Sequence, residues 1–294
     1  MAILPIWLSD DLSRAKAYPY LWYWIGKERH LNYAAYCFVI GFVFLVVAQI
    51  ADKKLMATEM KGLVSDREFL EAYCKTVESS ILTVRAADGM SPAELIRARR
   101  LILQGICLVV HQYHDKSPHL NINACYMVAY PTTSAPAGIE SRLKFKEDDR
   151  LLSSYAHVLD LTLWAEDRNE LPKELALPVE DPSDPNKRLR LLPGAPAAYA
   201  LDQVCAIADT RDLKQYFENG GRFVDREIAR QQTDFFEKQG FRSFASFPLN
   251  HDGVIRGVLN VQSARPFILG RESEHENMVT ELLRPLRTAM AILI

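Results

Sequence analysis

Apolar and charged positions divide this chain in two. From Leu31 to Ala51 there is no Asp, Glu, Lys or Arg, and Cys37–Ala48 is apolar throughout. An unpaired charge in hydrocarbon is costly. A helix rises about 1.5 Å per residue, so a bilayer core of about 30 Å needs roughly 20 apolar residues. The pattern predicts a single membrane-spanning helix over residues 31–51, and hence a single-pass membrane protein. Lys27, Arg29 and His30 precede the run, and Lys53 and Lys54 close it. Trp7, Trp22 and Trp24 lie before it with Tyr18, Tyr20 and Tyr23, which suits the headgroup layer because these rings join an apolar body to a polar tip. Residues 1–30 read as an interfacial segment and 52–64 as a linker. Basic residues flank the run on both sides (Arg14, Lys16, Lys27 and Arg29 against Lys53, Lys54, Lys61 and Arg67), so orientation stays open.

After residue 64 the pattern is that of a folded domain. Ser65-Asp-Arg-Glu68, Ser91-Pro-Ala-Glu94 and Ser273-Glu-His-Glu276 fit capping boxes, in which serine and glutamate side chains satisfy amides left free at a helix start. The helices they open carry apolar stripes at three- and four-residue spacing. These are Phe69, Tyr73, Val77, Ile81 and Val84; then Leu95, Ile102, Ile106, Val109, Val110 and Tyr113; then Met278, Val279, Leu282, Leu283, Leu286 and Met290. Pro285 should kink the last. Ala124–Tyr130 reads as a buried strand, Glu140–Lys146 as an alternating half-wet strand and His157–Leu163 as another. Pro172, Pro178, Pro182, Pro185, Pro193 and Pro196 predict a long surface loop. Residues 201–207 suit a helix or a strand, and 222–239 a helix. Phe241–Leu249 and Val254–Gln262, joined by Asn250-His-Asp-Gly253, form a strong hairpin signal, since glycine accepts the positive φ of such turns. The order is that of an α+β domain over residues 65–294: one antiparallel sheet with helices mainly on one face.

Composition narrows the function classes. A net charge of −2 offers no footprint for a nucleic-acid polymer. The cysteines (Cys37, Cys74, Cys107, Cys125, Cys205) number five, widely spaced, with no C-x-x-C pair, as expected of free thiols in a reducing compartment. The cysteine pattern predicts a cytoplasmic soluble domain.

The hairpin carries a family likeness. Gly240–Leu249, Gly253–Ser263 and Pro266-Phe267 before a capped terminal helix resemble the last strands and closing helix of the GAF domain, a PAS-like small-molecule sensor. Pro193-Gly-Ala-Pro-Ala-Ala-Tyr-Ala200 and Cys205-Ala-Ile-Ala-Asp209 are similar to the G-x-P-x-x-A segment and following I-x-D of that family. The resemblance implies binding of a cyclic nucleotide, another small metabolite or a tetrapyrrole, or service as a dimerisation platform. The Asn-Lys-x-n-Phe-x-x-x-Asp-Glu signature of many cyclic-nucleotide binders is not evident, and no cysteine sits in a bilin-like context. The cofactor is therefore left open.

Candidate chemistry is sparse. Cys107, His111 and His114 share a helix face, with His119 close behind, a set that could hold zinc but equally fits an apolar stripe and a helix C-terminus. Asp160, Glu166 and Asp167 are weaker still as paired carboxylates. No nucleophile–base spacing, phosphate-binding glycine loop or metal cluster stands out, so no enzyme is expected. The candidate ligand-binding residues are Arg242, Ser243 and Ser246 on the first hairpin strand and Asn260 and Gln262 on the second, with Tyr199 and Asp209 where the resemblance puts the pocket rim. Arg242 suits a phosphate through its fork of donors. The expected function is a membrane-anchored receptor. Its domain binds a small, nucleotide-derived ligand and alters association of the span in a homodimer or higher homo-oligomer. The alternative is a ligand-free dimerising scaffold that recruits a partner protein to the bilayer. With the closing helix at the end of the chain, the output would be the span or a separate protein.

Overall fold

A computed structural model describes residues 67–113, 121–146, 150–166, 171–184, 191–213, 217, 226–270 and 273–294. The expected span at 31–51, its flanks, the linker and Ser65 lie outside the described residues. Among the described residues no helix is long and apolar enough to cross a membrane.

Residues from Glu68 to Ile294 form one compact unit. Its helices are α1 (67–86), α2 (Pro92–Tyr113), α3 (Ile139–Arg142), α4 (Ala195–Leu201), α5 (Arg226–Gln239) and α6 (Ser273–Leu293). Its strands are β1 (Ile122–Pro131), β2 (His157–Trp164), β3 (Ala176–Val179), β4 (Cys205–Ile207), β5 (Ser243–His251) and β6 (Val254–Ser263). The strands form a six-stranded sheet in the order β3-β2-β1-β6-β5-β4. Every neighbouring pair is antiparallel.

Local chemistry accounts for the element boundaries. At the start of α2, Glu94 Oε2 accepts from the Ser91 amide at 2.7 Å, and the Glu94 amide donates back to Ser91 Oγ at 3.4 Å, closing the capping box. Asp252 and Gly253 turn β5 into β6 with φ of 52° and 77°, the left-handed geometry that a two-residue hairpin demands. α6 runs through Pro285 without a break. β1 and β6 approach so closely at Gly257 that a Cβ there would lie 2.1 Å from the Met127 carbonyl oxygen.

Period-2 alternation sends side chains to two different cores. On one face Ala124, Tyr126, Ala245, Phe247, Leu249, Leu259 and Val261 meet Ile102, Leu103, Ile106 and Val110 of α2 and Leu283, Leu286 and Met290 of α6. Phe69, Tyr73, Val77 and Val84 of α1 pack against this layer. Each fully buried leucine here contributes about 1.5–3 kcal/mol relative to an exposed one. On the other face Cys125, Met127, Leu159, Leu161 and Val258 meet α4 and Ile228 of α5, while Phe244 and Ile207 meet Phe236. The long helices thus share one face as expected, but the opposite face is covered too.

Several expectations need correction. Glu140–Lys146 is not a strand: Ile139–Arg142 is a helical turn entered through left-handed Gly138, and Leu143 makes only an isolated bridge to Ala176. Ile139 and Leu143, four apart, are both buried in one cluster, and that spacing serves a helical turn as well as a strand. Where it is described, the proline-rich stretch is not simply a surface loop. It contains β3, buried at all four residues and including Pro178, and its Leu191 and Leu192 are buried. β3 is an edge strand, where proline costs no ladder bond. Residues 201–207 are neither one helix nor one strand, because α4 ends at Leu201 and β4 starts at Cys205. Ile81 and Met278, expected in buried stripes, are 46% and 51% exposed; Ser80 takes the buried position on α1 instead.

Candidate functional site

The second face of the sheet holds a polar strip inside an apolar layer. Register places Trp164, Cys125, Asn260, Ser246 and Cys205 side by side across β2, β1, β6, β5 and β4. Ser246 Oγ donates to Asn260 Oδ1 at 2.6 Å, and Asn260 Nδ2 donates to Cys125 Sγ at 3.8 Å. Two residues further along, on the same face, Gln262 lies between Asn123 and Phe244. The row ends where the Gly194 amide donates to Cys205 Sγ at 3.1 Å.

Above this strip is a cavity of about 50 Å³. Its floor is Cys125, Met127, Ser246, Asn260 and Gln262; Gly194 and Ala195 form one wall, and Gln232, Phe235 and Phe236 of α5 form the roof. Gly194 carries φ 90° and ψ −134°, a conformation open essentially to glycine alone. Burial raises the Cys125 thiol to about 12, which keeps it protonated and a poor nucleophile. Gln232 Nε2 donates to the Pro193 carbonyl at 3.3 Å. The Gln232 Oε1 and Gln262 Oε1 atoms are buried with no hydrogen-bond partner.

The expected site residues divide between places. Ser246, Asn260 and Gln262 line the cavity together. Ser243, an odd number of residues from Ser246, faces the other way: its Oγ donates to the Arg265 carbonyl at 2.5 Å and accepts from the Ile268 amide at 3.2 Å. Arg242 donates from Nε to Asp209 Oδ1 at 3.0 Å, and this pair sits at the end of the sheet, outside the cavity lining. The Arg242 bonds hold the Asp209 carboxyl below its ordinary range. Tyr199 packs on His157, ring centres 5.2 Å apart, and burial raises its phenol. Sequence reasoning missed Gln232, Phe235 and Phe236, since nothing local announces that α5 roofs the sheet. Cys125 was missed for want of cross-strand register.

The other candidates are placed as follows. Asp160 pairs with Arg142 at 3.0 Å, and burial outweighs that pairing to raise its carboxyl. Cys107 and His111 border a separate cleft with Gln104 and Glu166. No group of three or more metal-ligating side chains occurs among the described residues; His114, His119 and Asp167 lie outside them.

No family model matches the chain, and no curated protein matches it. Solved structures similar to it include the GAF domain of an Acinetobacter phosphoenolpyruvate-protein phosphotransferase, at 11% identity and a TM-score of 0.32, covering 73% of this chain and 91% of that one. Another is the chromophore-binding domain of a bacteriophytochrome from R. palustris, at 11% identity and 0.34, covering 74% and 61%. A third is a type II free methionine-R-sulfoxide reductase from Thermoplasma acidophilum, at 12% identity and 0.35, covering 68% and 93%. The class is defined by the chain's own architecture. The segments that resemble the GAF domain form α4, β4, the β5–β6 hairpin and the closing α6 of a six-stranded antiparallel sheet, a GAF-like α+β domain.

Proposed function

We propose that this chain is a small-molecule receptor rather than an enzyme, held at a membrane by residues 31–51. The carrying observation is the buried polar strip under a roofed cavity, where two glutamine oxygens have no partner. An apolar enclosure with a few placed polar groups is what a ligand site needs. The protonated Cys125 and the absence of a charged side chain among the described lining residues argue against catalysis there. The charge-free run and its aromatic flank support the anchor. Ligand binding under α5 would change how the domains associate and so rearrange the span in a homo-oligomer.

Reconstitution of the full chain in lipid vesicles tests this. Binding of a small molecule should raise thermal stability, by about 2.7 kcal/mol at 100 times the dissociation constant, and change the oligomer distribution. The chain should resist alkaline carbonate extraction, and deletion of residues 31–51 should release it. A protein that stays monomeric with every ligand in detergent and lipid contradicts the reading.

The scaffold reading has its own support. Leu70, Ile81 and Leu82 on α1 are exposed alongside Leu101 and Leu108 on α2. Apolar surface of this kind suits a second copy or a partner protein. Partner capture that needs no added ligand would favour it.

A further inference from the structure

We infer that α1 is the seam of a parallel, two-fold homodimer in which Cys74 faces the partner's Cys74. The inference rests on the reading of residues 31–51 as a membrane anchor, and it names a second copy as the occupant of the exposed side of α1.

The seam is a stripe that the fold does not use up. Leu70, Cys74, Val77, Ile81 and Val84 follow one another at steps of four, three, four and three residues, the rhythm by which one helix presents a continuous apolar seam to another. At about 100° per residue, Leu70, Cys74 and Ile81 fall within roughly 40° of one another. These three are exposed, while Val77 and Val84 are half-buried against the core. Glu71, Lys75 and Glu78 on the same turns fall outside the stripe. The inner side of α1 is marked by two contacts. Thr76 meets α2, where a Cβ on Gly105 would lie 2.6 Å from its Cγ2, and Tyr73 Oη donates to the Leu282 carbonyl of α6 at 3.0 Å. The stripe continues round from Tyr73, along the border with α6, where Met278 is also exposed.

The chain itself argues for the partner. Only residues 52–66 separate the charge-free run from α1. With so short a connection to a shared bilayer, the α1 helices of two copies enter a contact from the same end. The pair is then parallel, and two-fold symmetry opposes identical residues. Such a pair needs a stripe that can face itself, apolar and free of like charges, and Leu70, Cys74 and Ile81 meet that need. From Leu70 to Val84 the stripe is roughly 21 Å long at about 1.5 Å per residue. That is short for a free coiled coil and small beside the roughly 800 Å² per partner of a standard interface. Anchoring supplies the effective concentration that such a contact lacks in solution.

Cys74 reports the register. A disulfide needs Cα atoms within about 4.4–6.8 Å, closer than the roughly 8–10 Å between the axes of packed helices, so it joins only residues on the shared seam. In a reducing compartment Cys74 stays a thiol and acts as a small apolar side chain, so the disulfide is a probe and not part of the function.

The test uses the full chain in phosphatidylcholine vesicles at a low protein-to-lipid ratio. Diamide is added, and it takes up the two hydrogens released when two thiols join as one disulfide. A disulfide-linked dimer should form, disappear in Cys74→Ser and persist in Cys37→Ser. In the Cys74→Ser background, Leu70→Cys and Ile81→Cys should restore it, and Lys75→Cys and Glu78→Cys should not. All four positions are exposed, so circular dichroism should stay unchanged. If one of these variants fails to fold, the wild type against Cys74→Ser still decides. Absence of the Cys74 dimer in a chain that resists alkaline carbonate overturns the seam and leaves the anchor standing. Crosslinking through Lys75→Cys or Glu78→Cys as readily as through Leu70→Cys does the same. Release of the chain by carbonate overturns the anchor and the seam together.

Discussion

Arg242 and Asp209 close on each other at one end of the sheet, with guanidinium Nε 3.0 Å from carboxylate Oδ1 and a second bond from the same fork to Oδ2. Asp209 follows β4 and Arg242 precedes β5, so the pair ties the edge strand to its neighbour. The Thr210 amide, bonded to the Arg242 carbonyl at 2.7 Å, reinforces the tie. Asp209→Asn should cost about 0.5–1 kcal/mol, as for a partly exposed ion pair. The Asp209 carboxyl is held below its ordinary 3.8, so the pair's contribution is complete above that pH and is lost as pH falls through the lower folded value. Wild-type stability should therefore fall more steeply than that of Asp209→Asn below about pH 3.8, as urea melts across pH 2–5 would show.

Ser246 is a positioning group for the cavity floor. Ser246→Ala leaves Asn260 Oδ1 without its 2.6 Å donor. An orphaned buried acceptor costs about 1–3 kcal/mol, so chemical denaturation should register a loss of that size. Ser246→Cys, which keeps a weak donor, should recover part of it.

Gly194→Ala should destabilise by about 1–3 kcal/mol on backbone strain alone, because its φ of 90° suits no side chain. A Cβ there also comes 2.9 Å from the Phe244 ring. The same change at Gly89, where nothing lies within 4 Å and φ is ordinary, should be nearly neutral. A thermal melt of the two variants makes the comparison.

Ser91→Ala opens the α2 capping box and should cost about 1 kcal/mol. Loss of the 2.7 Å bond from Ser91 Oγ to Glu94 Oε2 also returns the Glu94 carboxyl part of the way from its lowered position, the backbone amide still donating, which carboxyl titration by NMR would detect.

Leu70→Ser and Leu82→Ser together should leave the fold intact, since both side chains are more than half exposed. If α1 mediates self-association, the double variant should dissociate at concentrations where the wild type does not, as sedimentation velocity would report.

Elements whose causes are local were legible. The α2 box, the Asp252–Gly253 turn and the alternation of β5 and β6 each depend on residues a few positions apart. The same alternation separates Ser243 from Ser246 and joins Asn260 to Gln262, so the shared face of those two floor residues was readable from parity alone. The fate of Glu140–Lys146 was not, because Ile139 and Leu143, four apart, satisfy both helical and strand spacing until a neighbour chooses. Nor was β3, since proline weighs against a strand until the edge position is known.

The sequence by itself determined the start of α2, the hairpin and the α+β class, because these follow from capping chemistry, turn geometry and side-chain period. Only tertiary structure decided that Arg242 answers Asp209, that Gln232 of α5 comes over Gln262 of β6, and that Cys125 stands beside Asn260. Those relations depend on strand order and register, which bring together residues far apart in the chain, and no local pattern carries that information.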